Sequence, residues 1–336
     1  MKVSIGRAAQ LVALTLAAGL VPMLHGSPAI GKSAIIHQVA KDYNLKLIDL
    51  RLSQCDPTDL LGFPHVSNGR SSYLPMETFP IAGDEIPKGY SGWLLFLDEA
   101  TSASPAVQAS AYKLILDKMV GLHHLHEKVV IVAAGNLDTD GAIVTTMSTA
   151  LQSRMVHFEV EANYKEWMGW ANEQQFNYLI TSFLEFRPDS LYTFRADHTD
   201  KTYASPRTWE FANRLLNKCG VNEDLFPLLV GTLGKGVASE FYAFCGLKDS
   251  LPTMNSIIQQ PLLVGVPDKP SVQFALCGAL AAHATADNAE PIMQYVSRLP
   301  AEFQVVCLRS MIKRNKKLLA VPAVTDWVSR SSADMY

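Results

Sequence analysis

The eight residues Gly26-Ser27-Pro28-Ala29-Ile30-Gly31-Lys32-Ser33 satisfy the pattern G-x-x-x-x-G-K-[ST] in full. A loop of this kind turns successive backbone N–H groups inward, where they can bind phosphate oxygens. Gly26 and Gly31 stand where a side chain would block close approach or strain the turn. Lys32 would reach the outer phosphates of a nucleotide as a point charge, and the Ser33 hydroxyl would be a ligand for Mg²⁺. A helix starting at Lys32 and Ser33 aims its positive dipole end at the same anion. The pattern carries weight only between a strand and a helix. Here residues 21–24 read as a short buried strand and residues 33–43 have helical spacing.

The N-terminus invites another reading. Lys2 and Arg7 precede an apolar stretch at 11–24, and small residues follow at 26–29, as in a cleaved secretory leader. Cleavage there would cut through the phosphate loop. Gly19 and Pro22 also break the run, which is shorter than the roughly 20 residues a membrane span needs. Residues 7–18 therefore read as a helix leading into the strand.

Downstream, Trp93-Leu94-Leu95-Phe96-Leu97-Asp98-Glu99 is a buried-type apolar strand ending in two acids. Asp98 at the tip would hold Mg²⁺, and Glu99 would polarise an attacking water as general base. Two acids ending a core strand are common, but together with the upstream phosphate loop they form one constellation. Asn136 follows the apolar strand at 128–134. Its amide could hold the same water, while Asn136 to Gly141 equally suits a plain turn. Arg154 precedes a strand at 155–160, either to reach a neighbour's phosphate or as a solvated strand-edge cation. Arg207 follows Ser205-Pro206, an N-cap and a first-position proline. A cation in the first turn opposes the helix dipole, which suggests an anionic partner, although position alone favours an exposed arginine.

Length and composition agree. The chain has 336 residues, of which 48% are hydrophobic and 18% charged, so a disordered or fibrous chain is excluded. A net charge of -3 gives no global basic excess for nucleic acid. Five scattered cysteines without C-x-x-C spacing point to buried thiols in a reducing, cytoplasmic setting. The histidines at 123, 124 and 126 lack the i, i+4 face of a helical zinc site. Strands alternate with helices up to residue 160, which predicts a parallel α/β sheet covered on both faces. Beyond it, residues 164–186, 207–218, 224–244, 272–286, 289–299 and 301–317 favour helices. The expected domains are 1–160 α/β, 161–220 a helical lid, and 221–336 a helical region continuous with the lid or separate from it.

In this order the pieces resemble the AAA+ ATPase superfamily: Walker A at 26–33, Walker B at Asp98 and Glu99, sensor 1 at Asn136, an arginine finger at Arg154 and sensor 2 at Arg207. A narrower likeness is to the MoxR branch, with its RavA, CbbQ/NorQ, GvpN and dynein-related types, some of them encoded by bacteriophages. The residues that carry it are Asp56-Pro57-Thr58-Asp59-Leu60-Leu61-Gly62, Asp98-Glu99 with Ala103, Pro105 and Gln108, and Leu151-Gln152-Ser153-Arg154-Met155, where Met155 stands in place of the usual Phe. The likeness covers roughly 10–215 and fades beyond 220. It implies a five-stranded P-loop sheet with a helical lid, binding of ATP and Mg²⁺, and a ring, usually a hexamer, with ATP at subunit interfaces. It also implies a partner carrying a von Willebrand factor A domain, and a chaperone role in which a protein client is remodelled. Segments 62–80 and 120–128 would then face the ring's pore. Two other classes fit the same motifs: a nucleotide-gated structural ring with little turnover, and a nucleic-acid motor, which the charge disfavours.

Overall fold

The computed structural model describes residues 2–140, 145 and 147–331. They fall into two compact units. The first extends to Asn163 and includes Arg195–Asp197; the second comprises Tyr164–Phe194 and continues from His198.

The first unit runs β1 (Lys2–Ser4), α1 (Ile5–Ala17), β2 (Val21–His25), α2 (Lys32–Asp42), β3 (Leu45–Arg51), α3 (Pro57–Leu61), β4 (Phe63–Ser67), β5 (Arg70–Leu74), β6 (Gly92–Asp98), α4 (Pro105–Asp117), β7 (Met119–Val120), β8 (His123–His124), β9 (Val129–Gly135), α5 (Thr149–Gln152) and β10 (Met155–Glu161). The main sheet has the order β1-β10-β2-β9-β6-β3, and all of its pairs are parallel. Both faces of β2, β6 and β9 are covered, which is why these strands read as nearly unbroken apolar runs. Met23, Leu95, Leu97, Ile131 and Ala133 pack with Val107, Ala111 and Leu114 of α4. Leu24, Leu94, Phe96 and Val132 alternate to the opposite face, where α1 and α2 contact the same strands.

The sheet has six strands rather than the expected five. The extra one, β1, places Val3 opposite Val160 at the sheet's edge. Three residues are too few to show a period-2 pattern in sequence. The apolar run at 11–24 divides into the end of α1 and β2 about a left-handed Gly19. Among the described residues no helix is long and apolar enough to cross a membrane. The loop-rich stretch after residue 53 contains α3 and the hairpin β4–β5. Asn68 and Gly69 at its tip are both left-handed, as a two-residue hairpin turn requires.

Among its described residues the second unit has helices and no strand: α6 (Tyr164–Glu173), α7 (Tyr178–Phe186), α8 (Pro206–Cys219), α9 (Leu225–Leu233), α10 (Lys235–Cys245), α11 (Met254–Gln259), α12 (Pro270–His283), α13 (Ala289–Val296), α14 (Ala301–Arg314) and α15 (Pro322–Ser331). Two of the helices expected from sequence are broken. Left-handed Gln175 ends the first segment of one, and the Asn177 side chain caps α7 by accepting from Leu179 N–H. Gly234, at φ 83°, divides α9 from α10. One apolar cluster gathers around Phe183, Trp209 and Phe241, and a second around Leu276, Tyr295 and Leu308. Of the basic residues Lys313, Arg314, Lys316 and Lys317, Arg314 is drawn into the packing. The Arg314 guanidinium donates to Asn172 Oδ1 at 3.0 Å and to the Phe176 carbonyl, and burial lowers its pKa to about 10.

Helices α7 and α12 cross closely at Gly278. A Cβ there would lie 1.8 Å from Ser182 Oγ and 3.2 Å from both Ser182 Cβ and the Tyr178 carbonyl oxygen. Gly278→Ala should therefore destabilise the chain by about 1–3 kcal/mol, the usual cost of overpacking. Denaturant unfolding reads this directly. Adding Ser182→Ala should recover part of the loss, because it removes the nearest atom.

Candidate nucleotide site

The sheet register brings three strand ends to one edge. Ala133 of β9 lies level with both Met23 of β2 and Leu97 of β6. The loop beginning at Gly26, the acid Asp98 and Asn136 just beyond Gly135 therefore leave the sheet side by side. Ligands of open parallel sheets bind beyond the carboxyl ends of the strands.

Gly26 has no room for a side chain, since a Cβ would lie 2.7 Å from the Val160 carbonyl oxygen and 2.7 Å from Ile30 Cδ1. Gly31, at φ 109°, turns the chain into α2, so the first N–H groups of that helix face the loop. Lys32 is only 8% exposed. Its ammonium donates to the carbonyls of Gly26 and Ser27 and, at 3.0 Å, to Asn136 Oδ1. Ser33 Oγ donates to Asp98 Oδ2 at 3.0 Å. A hydroxyl and a carboxylate so placed are hard oxygen donors of the kind Mg²⁺ takes from protein, with phosphates and water completing its shell. These residues fit that ion.

Glu99 is left-handed, at φ 56°. For a non-glycine residue this conformation is uncommon and costs on the order of 1–3 kcal/mol. The backbone N–H of Glu99 donates to Asp98 Oδ1 at 2.8 Å, and its carboxylate accepts from Ser53 Oγ. The two acids are thus turned apart, with Asp98 toward Ser33 and Glu99 toward Ser53. Asn136 is braced through its backbone, which exchanges hydrogen bonds with Thr101 Oγ1 at 3.0 and 3.3 Å. Gly135 beside it leaves no room for a Cβ against Thr101.

Arg154 is exposed and stands outside this cluster. Its Nη1 donates to the Ala150 carbonyl at 2.7 Å, and the guanidinium lies 5.1 Å above the Tyr112 ring. Arg207 belongs to the helical unit. It is exposed in the first turn of α8, whose N-cap Ser205 forms a capping box with Thr208. Sequence reading missed Ser53, Thr101 and Tyr112, and no motif marks any of them. It also missed His25 and His157, which stack with Nε2 to Nδ1 at 2.8 Å beside the loop. They border a cleft of about 600 Å³ with Asp138 and Gln152. Burial, then the charge on His157, lowers the His25 pKa. The histidines at 123, 124 and 126 do not converge; His126 packs instead on Trp93. Among the described residues no cluster of three or more His, Cys, Asp or Glu side chains could hold a metal.

Residues 22–161 match the model of the ATPase family associated with various cellular activities (AAA). The matched segment has the parallel P-loop sheet described above and includes the phosphate loop, the two acids, Asn136 and Arg154. Among solved structures, the chain is similar to a candidate ATPase from Cytophaga hutchinsonii, with 14% identity over 98% of this chain and 88% of that one, at a TM-score of 0.36. It is also similar to the Thermotoga maritima RuvB Holliday junction branch migration motor, with 15% identity over 86% and 85% of the two chains, at a TM-score of 0.34. A lysine-to-arginine mutant of that RuvB gives 14% identity and a TM-score of 0.40. At such values nothing about activity or assembly transfers. No curated protein matches the chain.

Proposed function

We propose that this chain is a Mg²⁺-dependent ATP hydrolase of the MoxR branch. It would act as a cytoplasmic ring, a hexamer in the usual case, whose turnover remodels or activates a protein partner, with a von Willebrand factor A domain protein as the partner class. The observation that carries the reading is the convergence of Lys32, Ser33, Asp98 and Asn136 within hydrogen-bond distance at one sheet edge. The MoxR assignment rests on the motifs at 56–62, 98–108 and 151–155.

The roles follow from position. Backbone N–H groups of the loop and of the α2 N-terminus receive the phosphates. Lys32 exchanges neutral oxygen partners for anionic ones, which strengthens its hydrogen bonds. Ser33 and Asp98 would hold a magnesium ion, which would supply neutralisation of phosphate charge. Glu99 takes the proton of the attacking water, and Asn136 orients that water. Arg154 completes the site of a neighbouring copy, and Arg207 keeps the sensor 2 role that the resemblance gives it.

Replacing Lys32 tests the site without touching the proton-transfer groups. Hydrogen bonds to charged groups contribute about 1.5–3 kcal/mol, so Lys32→Ala should weaken Mg-ATP binding by about 10- to 150-fold. Titration calorimetry measures this. Unchanged affinity would remove the phosphate loop from the account.

A further inference from the structure

We infer that Tyr112 is a positioning residue for Arg154, holding its guanidinium so that one edge faces away from its own subunit toward an anionic group on the next copy. This rests on the reading of Arg154 as the residue that completes a neighbour's site. Three contacts fix the guanidinium. Nη1 donates to the Ala150 carbonyl at 2.7 Å and to Ser153 Oγ at 3.3 Å, and Cζ lies over the Tyr112 ring, 5.1 Å from its centroid. Both oxygens belong to the arginine's own short segment, so they fix it only relative to α5. The ring comes from α4, a different element, and ties the arginine to the sheet core. Tyr112 is itself packed against the core cluster, and its neighbours Ala111, Leu114 and Ile115 are buried.

The pattern of used and unused donors gives the argument its direction. One terminal nitrogen is engaged, and the guanidinium carbon lies over the ring. Nε and Nη2 have no hydrogen-bond partner among the described residues. Those two nitrogens form the side-on fork that suits bidentate binding of a carboxylate or phosphate. A long, exposed arginine otherwise samples many rotamers, and an aromatic platform reduces that freedom before the anion arrives. Tyr112 thus belongs functionally to the neighbour's reaction, although it touches no substrate.

The test compares Tyr112→Leu, Tyr112→Phe and Arg154→Ala for ATP turnover and ATP affinity. Loss of a cation–π contact at an exposed site predicts a fall in kcat of about 2- to 5-fold for Tyr112→Leu. KM should stay unchanged, and Tyr112→Phe, which keeps the ring, should behave as the parent chain. Mixing Tyr112→Leu with Glu99→Gln protein should raise turnover per intact Glu99, because the second chain supplies well-held arginines to the first. A folding defect would not be rescued in this way. If Arg154→Ala is inactive while Tyr112→Leu equals the parent, or if mixing gives no gain, the role of Tyr112 is overturned and that of Arg154 stands. If Arg154→Ala keeps full turnover, the parent reading falls and this inference with it.

Discussion

Glu99→Gln protein should bind Mg-ATP about as tightly as the parent chain and turn it over about 10²- to 10⁴-fold more slowly, the span that general-base roles supply. The substitution keeps size and shape and leaves an oxygen that can still accept from Ser53 Oγ. It removes only the capacity to take a proton. The local backbone argues that this carboxylate has a task. Glu99 sits at φ 56°, a conformation a glycine would adopt at less cost. Its neighbour Asp98 is directed at Ser33 instead. The strain thus aims two adjacent acids at different partners. Turnover and equilibrium nucleotide binding, measured on the same preparation, separate the effects. A variant with kcat within threefold of the parent would assign the base elsewhere, whereas loss of binding would make Glu99 part of the nucleotide cradle.

The residues legible in sequence were those whose chemistry needs a fixed spacing along the chain. Gly26 to Ser33 is such a unit, because one loop and one helix start must surround one anion. The acids at 98 and 99 were legible because they interrupt a fully apolar strand. Ser53, Thr101 and Tyr112 belong to another class. Each reaches its partner across the fold, Ser53 to Glu99, Thr101 to Asn136 and Tyr112 to Arg154. Their types, two hydroxyls and an aromatic, are ordinary at any surface, so only the fold reveals them: the register of β3, β6 and β9 for Ser53 and Thr101, and the approach of α4 to Arg154 for Tyr112.

The fold shows the same division. Apolar strands buried on both faces announced themselves, while β1 and the two hairpins did not. In β4 every residue is exposed, so no burial period is written into it. The helical unit was legible as helical but not in its breaks. A left-handed Gln175 is invisible to propensity, and Gly234 reads in sequence as a tolerated glycine inside a helix. Trp167 and Trp170 share a helical face, yet Trp167 is buried and Trp170 is 41% exposed, its ring lying against Phe176. Periodicity finds a face but not how far its edge is covered.

Arg154→Ala should lower kcat by about 10³- to 10⁵-fold, the range by which an arginine supplied to a phosphoryl-transfer site acts, with ATP affinity nearly unchanged. The asymmetry follows from where the side chain stands. Lys32 is hydrogen-bonded to Asn136 and Ser33 to Asp98, and Arg154 shares neither bond; its contacts are Ala150, Ser153 and Tyr112. Removing it should leave the phosphate loop intact. If the arginine acts in trans, two inactive variants should complement each other. An Arg154→Ala copy retains Glu99, and a Glu99→Gln copy retains Arg154. Random mixing in a closed ring makes about a quarter of interfaces complete, with the first copy holding the nucleotide and the second supplying the arginine. Turnover should therefore appear on mixing, peak near equal proportions and vanish at either end. An arginine that acts within its own subunit would give no such peak, since each ring site would then lack either its base or its cation whatever its neighbour carried.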